Sequence, residues 1–137
     1  MIKDRVKRKI ATYVKANCKK IDPEQFVLGE INYTHRCHLN AVQKVREDKA
    51  SKVFSCVAID KNDNIIVIVH FINQTRDGKY VDNTWGWMHE LYDYYIIKEI
   101  SEDEQNVVWR SLVNTKEMLF NLNTNWFERL ITNEQII

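Results

Sequence analysis

The sequence predicts an α+β domain, an antiparallel sheet of about four strands packed with helices. Three observations carry that expectation. Apolar residues recur at helical spacing near both ends of the chain, at Ile2, Val6, Ile10 and Val14 and again at Val108, Leu112 and Leu119. Short β-branched and aromatic runs fill the middle, at 53–59, 65–72, 80–85 and 92–98. Turn-rich stretches, DKNDN and NQTRDGK, separate the first three runs. With 137 residues, 45% of them hydrophobic and 28% charged, positions 1–137 read as one domain able to bury one core.

Residues 2–20 read as an amphipathic helix, its stripe widened by Tyr13 and extended to Cys18. Asp22-Pro23-Glu24 ends it, and 24–36 reads as a loop with Gly29 as a turn. From Cys37 to about Lys49 the spacing of Leu39, Ala41, Val42 and Val45 is helical again. The run IIVIVHFI at 65–72 is apolar on both faces, the mark of a central strand in an antiparallel meander. Ser101-Glu-Asp-Glu104 is a capping-box pattern, so a helix should run from there to about Leu122. A short terminal helix is expected over 126–132, with Trp109 and Trp126 in the core.

The start, MIKDRVKRKI, has no apolar stretch of the secretory kind, and the longest uncharged stretch, Asn64–Thr75, is too short to span a bilayer. The expectation is a cytoplasmic protein with no membrane partner. Three cysteines at wide, irregular spacing do not form a disulfide framework, which fits a reducing compartment. Residues 1–20 hold eight Lys/Arg and one Asp, a local +7, so the remaining 117 residues sum to −6 against an overall +1. Such a helix either solvates one face or docks nucleic acid or an acidic partner through Lys3, Arg5, Lys7, Arg8, Lys9 and Lys15.

A thiol nucleophile needs a lowered pKa, a base within reach and a donor for the developing oxyanion. Cys37 stands where the second helix begins, so the helix dipole and its own backbone N–H supply the first and last. His70 lies near the end of one strand and Asp82 inside the next, where an acid can orient an imidazole. Their shared face depends on the intervening turn. A two-residue turn at Asp77-Gly78 puts them on opposite faces, and a loop of three or five residues puts them together. Cys18 and Cys56, each on an apolar face, read as core. His35, His38 and His89 add imidazoles, but no Cys-x-x-Cys or His-Glu-x-x-His occurs, so neither metal nor cofactor is expected. Trp85, Trp87, Tyr92, Tyr94 and Tyr95 either line a cleft beside the thiol or pack within the sheet.

Cys37-His38-Leu39-Asn40-Ala41, then His70-Phe71, then Gly78-Lys79-Tyr80-Val81-Asp82-Asn83-Thr84-Trp85 resembles the papain-like and transglutaminase-like superfamily of cysteine hydrolases. The resemblance covers roughly residues 32–87. It implies Cys37 as nucleophile, His70 as base, Asp82 as third member, and Asn32 as an amide helper at the oxyanion; Trp85 and Trp87 would flank the substrate. It also implies a small stand-alone member of the kind encoded by viruses of bacteria, acting on a protein or peptide, with a host protein as target. The function expected is therefore a thiol hydrolase or acyl-transfer enzyme for an amide, peptide or thioester. The alternative is a non-catalytic binding module on the same fold, using the basic helix or the aromatic patch.

Overall fold

The computed structural model describes all residues, Met1–Ile137. Helix α1 (Ile2–Asn17) turns Val6, Ile10, Ala11 and Val14 inward, as its stripe requires. It stops before Cys18, and Lys19–Lys20 form a two-residue strand, β1. A turn at Pro23–Gln25, capped by Asp22, leads into β2 (Phe26–Val27). Helix α2 (Cys37–Arg46) begins at the expected residue. Strands β3 (Lys52–Asp60), β4 (Asp63–Gln74), β5 (Tyr80–Val81) and β6 (Tyr92–Ile100) follow, with a 3₁₀ segment at Gly86–Leu91 before the last. Helices α3 (Glu102–Gln105), α4 (Val108–Leu122) and α5 (Trp126–Ile131) complete the chain. No helix is long and apolar enough to cross a membrane.

The class is α+β, and the expected sheet of about four antiparallel strands is corrected to six mixed strands. Their order is β1-β6-β3-β4-β5-β2, and β2 lies parallel to β5. The additions are the two-residue edge strands β1 and β2, too short for any periodicity to reveal. The strand expected at 80–85 shrinks to two residues. Asp82 turns its Oδ1 onto the backbone N–H groups of Thr84 and Trp85, both at 2.9 Å, which replaces the ladder by a side-chain turn.

Period-two alternation divides the sheet. Val57, Ile59, Val67 and Val69 face α1 and α4, joined by Val6, Ile10, Val14, Leu119 and Phe120. Val53 and Phe71 on the same face meet Ala41 and Val42 of α2. Cys56, Ala58, Ile72 and Tyr94 face the other way, against Ile21, Phe26 and Trp85. Cys56 is buried, as expected of a core thiol, and Cys18 is half-buried at the rim of the first cluster.

The helix expected from Ser101 to Leu122 breaks at Asn106–Val107, after the capping box that Ser101 and Glu104 form. Trp109 and Trp126 are not core: they are 54% and 73% exposed. Val108, Leu119 and Phe120 take the inward face of α4 and leave Trp109 outside, while the residue that α5 buries is Glu128. Two of the basic α1 residues do more than solvate a face. Arg5 Nε and Lys9 Nζ donate to the two Glu128 oxygens at 3.0 and 2.8 Å and tie α1 to α5.

Candidate active site

The loop between β4 and β5 decides the site. Gln74 pairs with Tyr80 and Asn73 with Val81, so residues 75–79 make a five-residue connection. That odd length sets Asp82 on the face of His70. Gly78 takes the left-handed backbone this loop needs, at φ 87°. His70 Nε2 then lies 2.8 Å from Asp82 Oδ2. Both residues are buried, His70 at 1% and Asp82 at 0% exposure. The Tyr94 hydroxyl donates to the same Oδ2 at 2.6 Å. With Thr84 and Trp85 on Oδ1, the carboxylate receives four hydrogen bonds and is rigidly aimed.

The indole of Trp85 stacks on the His70 ring, 3.8 Å between centroids and 15° between planes. It fixes the ring and excludes water from one face. With Nε2 held by Asp82, Nδ1 is the nitrogen left for the thiol.

Cys37 is the first residue of α2 and comes to β4 from the helical side of the sheet. The first backbone bond of the helix runs from Asn40 N–H to Arg36 O, 2.9 Å, so the N–H groups of Cys37 and His38 have no intrahelical acceptor. Burial pushes the Cys37 thiol up. Hydrogen bonds from His38 and His70, the His70 charge and the Phe71 backbone N–H outweigh it and bring the thiol down to about 6. Burial pushes His70 down, and the Asp82 carboxylate with the Cys37 sulfur draws it up to about 9. Burial would raise Asp82, but the charge and hydrogen bond of His70, the Trp85 N–H and the Tyr94 hydroxyl hold it below the usual range. A lowered Cys37 thiol beside a raised His70 imidazole favours a thiolate–imidazolium pair, the ground state a thiol nucleophile needs. Cys56, under the same sheet, is its opposite: burial first, then the Asp82 charge, pushes its pKa well up.

A second web positions the segment that precedes Cys37. Asn40 Nδ2 donates to Thr84 Oγ1 at 3.0 Å, and Asn40 Oδ1 accepts from Asn32 Nδ2 at 3.0 Å and Thr34 Oγ1 at 3.2 Å. Thr34 N–H closes on Asn32 Oδ1 at 3.1 Å. Asn73 Nδ2 reaches Ala41 O at 2.8 Å and Asn83 Nδ2 reaches Asn73 Oδ1 at 3.0 Å, so α2 is pinned to β4 and to the turn after β5. His35 completes the loop with a left-handed backbone, φ 56°. Asn32, expected as the amide helper at the oxyanion, is engaged in this web. Its amide bonds Asn40 and it does not line the cavity that holds Cys37 and His70. The backbone N–H groups at the start of α2 are left free of intrahelical acceptors beside the thiol.

The expected aromatic neighbours divide as well. Trp85 lines the cavity with Cys37 and His70, while Trp87 is 56% exposed and stands outside it. Tyr94 serves the carboxylate from below, and Tyr95 belongs to the helical-side core. His89 stacks on Phe26 at 5.0 Å, away from the thiol. No group of three or more His, Cys, Asp and Glu side chains is arranged to hold a metal ion.

Sequence reading missed Lys116, which also lines the cavity, and it named Tyr94 and Asn40 without the bonds they make to Asp82 and Thr84. Lys116 had a signal: it sits four residues after Leu112 and three before Leu119, a charge on an apolar helix face. The bond from Tyr94 to Asp82 had none, because it depends on the register between strands.

No family model, no curated protein and no solved structure matches the chain.

Proposed function

We propose that the chain is a thiol-dependent hydrolase or acyl-transfer enzyme acting on an amide, peptide or thioester bond, a small papain-like or transglutaminase-like protein. The observation that carries the reading is the buried His70–Asp82 pair at 2.8 Å, with Cys37 at a helix start lining the same cavity as His70. In the proposed cycle the Cys37 thiolate attacks the carbonyl carbon, forming a C–S bond and an oxyanion facing the N–H groups of Cys37 and His38. Collapse breaks the bond to the leaving amine or thiol, which takes its proton from the His70 imidazolium. The neutral imidazole then removes a proton from water or an acceptor amine as that nucleophile attacks the thioester. Expulsion of the thiolate restores the starting pair. Asp82 holds the ring and stabilises its charge throughout.

Reaction with 4-nitrophenyl acetate tests the reading. The expected result is a nitrophenolate burst with an acetyl group on Cys37, located by peptide mass, and no burst from Cys37→Ala or His70→Ala. A burst that survives Cys37→Ala, or acetyl confined to other residues, refutes it.

A second reading, a non-catalytic module that binds a protein or nucleic acid, has one observation in its favour. Trp126 and Leu130 are 73% and 74% exposed on α5, beside the cationic α1. A salt-sensitive complex lost on reversing Lys3 and Arg8, together with an inert Cys37, would decide for it.

A further inference from the structure

The cavity beside Cys37 is cationic. Its volume is about 230 Å³, and besides Cys37 and His70 its polar side chains are His35, Arg36, His38 and Lys116, with no Asp or Glu side chain among the lining residues. Lys116 is half-buried on α4, and Arg36 stands exposed immediately before α2. Neither forms a salt bridge, although nine others do form across the molecule. Asp82 lies behind His70 with both oxygens engaged. Lys116 and Arg36 therefore bring positive charge to the cavity that no Asp or Glu side chain neutralises. The cavity is smaller than an ordinary small-molecule pocket and has room for a single short side chain beside the thiol.

We propose that this cavity takes a substrate bearing a carboxylate next to the scissile carbonyl, held by Lys116 and Arg36. The acyl group cut or transferred then carries an acidic side chain or a terminal carboxylate. The inference rests on the thiol reading above and adds its substrate class. Lys116 and Arg36 are binding groups here, and the chemistry stays with Cys37 and His70.

Two alkylating reagents separate the claims. Iodoacetate and iodoacetamide undergo the same reaction, in which the thiolate forms a C–S bond and iodide leaves, and they differ in charge. Their rate ratio at Cys37, followed by the mass of its peptide, is therefore independent of how much thiolate is present. The expected ratio in the folded chain exceeds that in the urea-unfolded chain by about tenfold at low salt, equivalent to about 1.4 kcal/mol. It should fall in Lys116→Gln by about fivefold, recover in Lys116→Arg, fall in Arg36→Gln, and shrink in high salt. A ratio unchanged by folding and by both glutamine variants overturns the carboxylate site while leaving the thiol reading intact. A Cys37 that reacts with neither reagent in the folded chain, yet does when unfolded, overturns both. If Lys116→Gln fails to fold, the exposed Arg36→Gln still decides.

Discussion

Asp82→Asn is the most informative single change, because an amide can satisfy only half of what the carboxylate does. Oδ1 accepts two backbone N–H groups and Oδ2 accepts from Tyr94 and His70. An asparagine keeps its oxygen toward Thr84 and Trp85 and turns its NH₂ toward Nε2 and the Tyr94 oxygen. His70 must then offer a lone pair at Nε2 and carry its single proton on Nδ1, so the imidazolium is lost. Two hydrogen bonds to a charged acceptor disappear, each worth about 1.5–3 kcal/mol, and one weaker neutral bond replaces them. Relief of burying the charge offsets part, which leaves a net loss of about 2–4 kcal/mol. Without the imidazolium the Cys37 thiol rises from about 6 toward and beyond its ordinary 9.0. Two assays read these outcomes, urea unfolding and the pH profile of Cys37 alkylation. The profile's midpoint is the quantity to compare, since a less acidic thiolate is intrinsically more nucleophilic and masks the change in a rate at one pH. The native midpoint should lie near 6, the rate should hold level to about 9, and the variant's midpoint should move up by more than two pH units. An Asp82→Asn chain whose Cys37 still titrates near 6 refutes the argument that the Asp82–His70 charge pair makes the thiol acidic.

Gly29→Ala should destabilise by about 2 kcal/mol or more and raise the Cys37 midpoint, because an added Cβ would sit 2.2 Å from the Asp82 carbonyl oxygen; equal urea midpoints for variant and parent would contradict this. Glu128 is held at about 2 by hydrogen bonds from Lys9, the Asn125 N–H and Arg5, so its contribution is complete above its ordinary 4.5 and is lost as pH falls through about 2. Glu128→Gln should accordingly cost about 1–2 kcal/mol at pH 7 and flatten the acid limb of a stability–pH curve between those values, with a parallel acid limb counting against it. Reversing Lys3 or Arg8 should change stability by less than about 0.5 kcal/mol, whereas reversing Arg5 or Lys9 should cost more than about 1 kcal/mol, measured by urea unfolding. Trp85→Ala should remove about 2–3 kcal/mol and expose the His70 ring, seen as faster exchange of its Nε2 proton by NMR; an unchanged exchange rate would mean the stacking does not shield it.

The parts legible in the sequence were those fixed by local rules. The two-faced apolar run around His70 is a central strand, and the polar loop before Cys37 ends at a helix start, because burial pattern and helix initiation are read within a few residues. The odd loop followed from parity once His70 and Asp82 were required to share a face. The rest depends on partners distant in sequence. Asp82 left its strand because its own side chain competes for the ladder's N–H groups, which a β-rich run does not announce. Asn32 had the right residue type at a workable distance from Cys37, and only the folded loop shows its amide meeting Asn40. Arg5 and Lys9 read as solvated charges until α5 brought Glu128 to them.

The parallel pairing of Phe26 with Tyr80 and Val27 with Val81 gives the molecule an order of assembly. The β3–β4 hairpin closes through a short turn and can condense early, whereas the β2 clasp joins segments far apart in sequence at one edge of the sheet and adds only four residues of ladder. Gly29 and Ile31, which abut Asp82 and Trp85, follow directly from that clasp. The acidity of Cys37 is therefore expected to appear only once that clasp closes around Asp82. A chain refolding in that order would pass through a state that is native to circular dichroism but carries an ordinary thiol, and thiolate absorbance during refolding would then time the final closure.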